Sequence, residues 1–465
     1  MSVRTWFRGL VLPVALFIIL SGCTSSEERV NQQLLSQFET ELQSLLDAWY
    51  PVSVDTAYGG FVTDLSVDWQ PKGPQNKMLV TQARHVWTTS QAAMFTGNDY
   101  YAGVAEHGYH YLRDVMYDPE YGGFFLFRDQ QGNPLMDRRT HTPGNEKTAY
   151  SMAFVIYALS SYYEMSGDKA ALDLAIETFH WLDEHSHDSE YGGYVNELTR
   201  EGEWYGKAGM YRNARRGLGR DNKDQNSSIH ILEAFTELYK VWPDDHLRAR
   251  LNEMLEIIRD KIVGDKGYLT MFLELDWTPI SFRDSSEAVR KANYYYDNVS
   301  FGHDVETAFL MLETSHVLGI KDDAKTLSVA KQMVDHCLAN GMDPANGSIY
   351  YEGYYFKNSD TCTIVNDSRD LWVQAEGCNA FLLMHNLFPK NPDYYPAFIR
   401  IWDYIQANLI DRENGGWYPF GIDTDPQKAK SYKASIWQAN YHNARSLMNC
   451  IRMLRGESEL VPGKK

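Results

Sequence analysis

The chain has 465 residues, 44% of them hydrophobic and 23% charged, enough apolar material for a large buried core and a globular fold. Its formal net charge of -18 argues against a nucleic-acid partner, because phosphate backbones are held by clustered Lys and Arg. Aromatic residues make up 14%, with 31 Tyr and 12 Trp, a ring content that suits either an aromatic-rich helical core or the faces of sugars.

The first signal along the chain is "MSVRTWFRGLVLPVALFIILSGCTSSEE", where Arg4 and Arg8 precede an apolar run from Leu10 to Leu20 that is too short for a stable membrane span. It ends in Leu20-Ser21-Gly22-Cys23, which resembles a bacterial lipoprotein signal: residues 1–22 are removed and Cys23 carries lipid. An ordinary secretory signal with an incidental Cys is the alternative. Either way the mature chain is expected outside the cytoplasm; on the lipoprotein reading it is in the periplasm, held to a membrane by a lipid anchor alone. Residues 23–34 read as a tether.

A turn then organises the rest. "DTAYGGFV" at Asp55 is followed by "DPEYGGFF" at Asp118, "DSEYGGYV" at Asp188, a degraded "GDKGYLTM" at Gly264, "DPANGSIY" at Asp343 and "DRENGGWY" at Asp411. The glycines Gly59, Gly122, Gly192, Gly267, Gly347 and Gly415 are separated by 63, 70, 75, 80 and 68 residues. That exceeds the roughly 34 to 47 residues of a two-helix solenoid unit and leaves room for two longer helices with their connections. The Asp side chain suits a loop position that accepts from the backbone ahead of it, and the glycines suit positive φ.

Between turns the period is helical. Thr148–Tyr163 places Met152, Ile156, Leu159 and Tyr163 on one face without Gly or Pro, and Ser228–Tyr239, Asp304–Val317 and Leu371–His385 behave alike. Strand pattern appears only just after each glycine turn. Six helical-hairpin units predict an all-α fold, an (α/α)6 barrel built as a double ring with short β pieces in the loops, although an open superhelix satisfies the same repeat. No Pro-, Gly- or Ser-rich linker interrupts residues 35–455, which read as one catalytic domain followed by a tail at 456–465. Cys337, Cys362, Cys378 and Cys450 have no zinc-like spacing; an oxidising compartment would permit disulfides in any of three full pairings.

Chemistry-bearing residues gather at helix starts. "SFGHDVETAFLMLE" sets His303 beside Gly302 with Glu306 one turn later, and "QNSSIHILEAFTELY" repeats the spacing with His230 and Glu233. Such a pair can be a metal site, an imidazole oriented by a carboxylate, or a solvated surface pair. A metal would need a further convergent ligand, and the sequence offers none. "SIWQANYHNARSLM" adds Trp437, Tyr441, His442, Asn443 and Arg445. Spacing alone supports no more than a histidine-lined cleft in a helical toroid.

Seven blocks in order resemble the N-acylglucosamine 2-epimerase and cellobiose 2-epimerase superfamily, nearest the cellobiose and mannobiose 2-epimerases. They are "QARHVWTTS" at Gln82, "KTAYSMAFVIYALSSYY" at Lys147, "NSSIHILEAFTELY" at Asn226, "SFGHDVE" at Ser300, "LWVQAE" at Leu371, "NGGW" at Asn414 and "WQANYHN" at Trp437. The resemblance implies an (α/α)6 barrel and a cofactor-free inversion at C2 of a reducing-end glucose or mannose, with a small oligosaccharide as substrate. It also implies roles. His303 and His442 would be the acid/base pair, Arg84 would steady the oxyanion, and His230 would assist near the sugar oxygens. Trp372 and Trp437 would stack on sugar rings, while Tyr150, Asn226, Glu306 and Glu376 would position hydroxyls or imidazoles, Glu306 orienting His303. Two imidazoles suit this chemistry because groups with pKa near ~6.5 serve as either acid or base at neutral pH.

Three features depart from the family pattern: "WQANYHN" where "WKCPYHN" is common, Ser228 where a second His often stands, and the export signal. The rival readings are an aldose-ketose isomerase, a glycoside hydrolase or lyase with Asp304 and Glu376 as its carboxylates, and a tethered sugar-binding protein.

Overall fold

The computed structural model describes residues 26–135, 146–205 and 222–461; the signal segment and Cys23 lie outside them. In chain order the helices are α1 (Ser26–Trp49), α2 (Leu79–Thr96), α3 (Asp99–Tyr111), α4 (Ala149–Ser166), α5 (Lys169–Ser186), α6 (Gln225–Val241) and α7 (Asp245–Ile257). They continue with α8 (Glu287–Asp297), α9 (Phe301–Val317), α10 (Ala324–Asn340), α11 (Leu371–Leu387), α12 (Tyr394–Asn408), the short α13 (Pro426–Ala429) and α14 (Tyr441–Arg455). Caps fix several starts: Thr148 Oγ1 accepts from Ser151 N at 3.1 Å, Asp168 Oδ1 from Ala170 N at 2.9 Å and Asp224 Oδ1 from Ser227 N at 2.7 Å.

Two helix populations explain the ring. α4 is buried over nearly its whole length, whereas α5 buries one stripe and keeps charged residues outside. The all-round apolar type recurs in α2, α6, α9 and α11, which with α4 and α14 form an inner ring; α1, α3, α5, α7, α10 and α12 form the outer one. Successive inner helices pack side by side and α14 packs against α2, so the ring closes and the open superhelix is ruled out. The outer partner of α14 is α1, from the other end of the chain. α1 starts within the stretch read as tether, and its Leu34 and Phe38 are core residues. In the stretch read as a tail, Val461 is buried.

Every outer-to-inner connection carries the repeated turn. Asp55 N donates to Gly60 O and Gly59 N to Asp55 O, both at 2.9 Å, and the same pair of bonds closes the turns at Asp118, Asp188, Asp343 and Asp411. The Asp side chain also accepts from the amides two and three residues ahead, as Asp118 does from Glu120 and Tyr121. Gly59, Gly60, Gly122 and Gly123 all have positive φ, which glycine adopts without cost to its side chain.

Five of the six turns have a buried cation behind them. Lys77 meets Asp55 at 2.8 Å, Lys147 meets Asp118 at 3.1 Å, Lys223 meets Asp188 at 2.8 Å and Lys433 meets Asp411 at 2.6 Å; all four lysine side chains are fully buried. Arg369 serves Asp343 at 2.7 Å. In the fourth turn Gly264 stands where the Asp would be and Val299 where the Lys would be, so both members of the pair are missing together. Short antiparallel ladders then stitch neighbouring units: Lys77–Met78 with Phe127–Arg128, Lys147–Thr148 with Glu197–Leu198, and Lys223–Asp224 with Phe272–Leu273. These ladders anchor the chain immediately before α2, α4 and α6, fixing the end of the ring at which the inner helices begin.

Candidate active site

The first two turns of the inner helices converge at that end. Tyr150, Asn226, Trp372 and His442 are second in their helices, and Arg84, His230, Glu306 and Glu376 are sixth, one turn deeper on the same face. All ten sequence-predicted substrate and acid/base positions lie on this rim or, for Trp437, in the loop before α14. Helix N-termini carry partial positive charge, so their convergence favours negative charge in the cleft.

Arg445 is the centre of the floor. Its Nη1 donates to Glu233 Oε1 and to the Tyr441 hydroxyl, and its Nη2 donates to Glu306 Oε1 and, at 2.6 Å, to Glu376 Oε1. The three carboxylates come from α6, α9 and α11, and all are buried. Burial alone would raise the Glu233 carboxyl; Arg445, His230 and Tyr441 bring it down to about 2. Glu306, Glu376 and His442 offer ligand atoms within 4.8 Å of one another, the composition of a cation site. The cation on them is the guanidinium of Arg445.

Two imidazoles rest on this floor. His442 Nδ1 lies 2.8 Å from Glu376 Oε1 and 3.7 Å from Glu306 Oε1, and His230 Nδ1 lies 2.8 Å from Glu233 Oε2. The third imidazole is held differently. His303 Nδ1 is 2.7 Å from Ser300 Oγ and 3.4 Å from Gln225 Nε2, both uncharged. Burial first, then the nearby His230, His442 and Arg84, holds His303 down to about 3. Trp372 packs against both His303 and His442, with ring centroids 4.8 and 5.5 Å away, so the two imidazoles are no more than about 10 Å apart. With Nδ1 engaged behind it, each has Nε2 left to meet a substrate.

Arg84 forms one wall. Its guanidinium lies over Phe154 at 4.4 Å, donates to the Tyr150 hydroxyl at 3.1 Å and to Trp437 O at 3.3 Å, and keeps a buried Nε without a protein acceptor. Asn226 hydrogen-bonds the same Tyr150 hydroxyl. The Trp437 ring is 58% exposed at the mouth, an apolar plane facing solvent.

Two sequence expectations need correction. Glu306 does not orient His303: it bonds Arg445 and faces His442, while Ser300 takes the place behind His303. Asp304 does not face the cleft either. As fourth residue of α9 it points outward and accepts from Leu269 N at 2.9 Å, as Gln82 and Gln374 grip Phe61 and Ile349 in other units. Burial, only partly offset by that hydrogen bond, raises its carboxyl well above the usual range. A hydrolase pair of Asp304 and Glu376 across the cleft is therefore not formed.

Of the departures at the His442 motif, Asn440 is buried and accepts from the Tyr50 hydroxyl at 3.2 Å, while Gln438 and Ala439 are half-buried. At the His230 motif, Ser228 Oγ donates back to Asp224 O at 2.8 Å. The four described cysteines are unbonded thiols. Sequence reasoning quoted Arg445 without giving it a role; its signal was the one-turn spacing from His442, which puts both on the inner face of α14.

With this geometry in place, comparison decides the family. Residues 59–445 match the N-acylglucosamine 2-epimerase (GlcNAc 2-epimerase) family. The chain belongs to that family. A cellobiose 2-epimerase of Bacteroides fragilis is 29% identical over 432 residues, covering 92% of this chain and 99% of the relative. A D-mannose isomerase of Marinomonas mediterranea is 22% identical over 90% of this chain and 96% of its own. The solved structure of cellobiose 2-epimerase from Spirochaeta thermophila superposes with a TM-score of 0.77 at 28% identity, over 93% of this chain and 99% of that one. As a member of the N-acylglucosamine 2-epimerase family this chain is a sugar epimerase or isomerase, and its (α/α)6 barrel is the fold of those relatives.

Proposed function

We propose that the protein is a 2-epimerase of the reducing-end glucose or mannose residue in a β-1,4-linked disaccharide or short oligosaccharide of the cellobiose or mannobiose type. The observation that carries this reading is that His303 and His442 share Trp372 as a packing partner and lie no more than about 10 Å apart, each tethered through Nδ1 with Nε2 left for a substrate. After ring opening, the aldehyde makes the C2 proton acidic. One Nε2 takes that proton and leaves an enediolate; the other delivers a proton to the opposite face, and the reverse reaction exchanges their roles. No electrons leave the substrate.

Arg84, with its unpartnered Nε and a planar fork, is suited to the two vicinal oxygens on which negative charge appears. His230 would work near the same oxygens, and Tyr150 and Asn226 would fix hydroxyls. Trp372 and the exposed Trp437 supply planes for sugar rings. The Bacteroides and Spirochaeta relatives support the disaccharide. The Marinomonas relative supports a second reading, an aldose-ketose isomerase in which the same enediolate is reprotonated at C1.

The test is turnover in heavy water on cellobiose, β-1,4-mannobiose, glucose and mannose. Deuterium at C2 of a C2-inverted disaccharide is the expected result. A ketose product establishes the isomerase instead, and release of monosaccharides or absence of any turnover overturns both. On the strength of residues 1–23 we also propose export and lipid attachment at Cys23; loss of fatty-acid labelling in Cys23→Ser is the expected result, and unchanged labelling refutes it.

A further inference from the structure

Three buried carboxylates on three helices meet one guanidinium from a fourth. Each of the four Nη hydrogens of Arg445 has an acceptor, and the arrangement needs a planar fork; a lysine ammonium with three tetrahedral donors cannot reproduce it. One guanidinium meets three carboxylates, and two of those carboxylates also point an oxygen at an imidazole nitrogen. Glu376 Oε1 faces His442 Nδ1 and Glu233 Oε2 faces His230 Nδ1, each at 2.8 Å. The cluster does not reach His303, whose Nδ1 neighbours are the Ser300 hydroxyl and the Gln225 amide.

We propose that Arg445 is a positioning residue that fixes the hydrogen on Nδ1 of both His442 and His230, so that each presents Nε2 to the sugar, while His303 is set independently by Ser300. An ionised carboxylate only accepts, so the nitrogen facing it must donate. Were Glu376 or Glu233 to take up a proton, that constraint would vanish and the rings could reverse their tautomers. Without the guanidinium the carboxylates are left close together, and like charges in a buried site force one of them to be protonated. Arg445 thus acts on the two imidazoles through Glu376 and Glu233 without touching either ring. The inference rests on the proposed sugar chemistry only for its kinetic readout.

The experiment uses the full chain and two variants, Arg445→Lys and Arg445→Met, with folding checked by circular dichroism. Imidazole nitrogen NMR of 15N-histidine-labelled protein, with ring signals assigned through His442→Gln, His230→Gln and His303→Gln, reads the tautomers directly. The expected result is Nδ1–H for His442 and His230 in the parent, mixed tautomers for both in the variant, and an unchanged His303. Should Arg445→Met fail to fold, Arg445→Lys carries the same test.

With cellobiose as substrate, kcat of Arg445→Lys should fall about 100-fold while KM stays within about threefold, the cost of a misplaced acid/base group. The groups facing His442 are His303 and Glu306 on α9, Glu376 on α11, Tyr441 and Arg445 on α14, His230 on α6, and Arg84 on α2. Removing the Arg445 fork raises both the carboxyls and the imidazole, so the acid limb of kcat/KM should move to higher pH. Unchanged tautomers together with an unmoved acid limb would overturn the proposal. A parent that turns over no aldose yet shows the tautomer change refutes the enzymatic reading and leaves Arg445's role standing.

Discussion

Gly302 and Trp372 approach so closely that a β-carbon on residue 302 would lie 2.6 Å from the indole. Glycine inside a helix costs about 1 kcal/mol relative to alanine. Here it allows the indole to pack against both His303 and His442. The surface the two imidazoles share is thus placed by a missing side chain on the neighbouring helix.

Gly302→Ala follows directly. The indole must move, and both imidazoles lose the surface they pack against, so kcat on the disaccharide should fall by about 10- to 100-fold while far-ultraviolet circular dichroism stays unchanged. Equal kinetics in the variant would show that the pair does not depend on that shared surface.

Glu376→Gln and Ser300→Ala separate the two imidazole supports. The amide keeps the shape of Glu376 but turns an acceptor into a mixed group against both Arg445 and His442, so kcat should fall by about 100-fold or more. Ser300→Ala removes a neutral partner and should cost about tenfold. Steady-state kinetics of the two variants would refute this ordering if Ser300→Ala proved the more damaging.

At the cleft mouth, Trp437→Ala should act mainly on binding. A solvent-facing stacking plane contributes about 1 kcal/mol, so KM should rise roughly fivefold with kcat nearly unchanged. A disaccharide should feel the loss more than a monosaccharide. A fall in kcat of similar size would place this ring next to the reacting carbon instead.

Asp304→Asn tests the outward assignment. Burial favours the protonated form of this carboxyl in the fold, raising it well above the unfolded value near pH ~4. The parent therefore loses stability as pH rises above that value, and the non-titrating amide does not. Thermal unfolding at pH 5 and pH 8 should show the variant gaining on the parent with rising pH, with epimerisation retained. A collapse in activity would return Asp304 to the cleft.

Lys433→Met strands a buried carboxylate at Asp411 and should destabilise by about 3 to 5 kcal/mol in denaturant melts. Adding Asp411→Asn should recover most of it, the outcome prefigured in the fourth turn by Gly264 and Val299. The Asp118, Asp188, Asp343 and Asp411 carboxyls are depressed, burial being outweighed by their Lys or Arg partners and turn amides. Their contribution is present above the unfolded value near ~4 and is lost as pH falls through the depressed ones.

The repeat was legible because its residues act locally. An Asp that accepts from amides two and three ahead, and glycines at positive φ, leave their mark within eight letters, and the 3.6-residue period located α4, α6, α9 and α11. Ring closure is different: it depends on α14 meeting α2 across the whole chain, a contact with no local trace. The histidines were visible as residues at helix starts, but their partners were not. Helix spacing pointed Glu306 at His303 because they are one turn apart, yet the carboxylate reaches across to Arg445 and His442 on another helix. Charge balance among buried groups is a property of the assembled floor, and only coordinates reveal which cation neutralises which acid.

The last inner helix finds its outer partner in α1, the first described helix, and it carries both His442 and Arg445. A polypeptide emerging from a ribosome or a translocon therefore holds five hairpins and an unfinished gap until its final stretch arrives. Loss of α1 or of α14 would open that same seam, so the clasp between them is what makes the toroid whole.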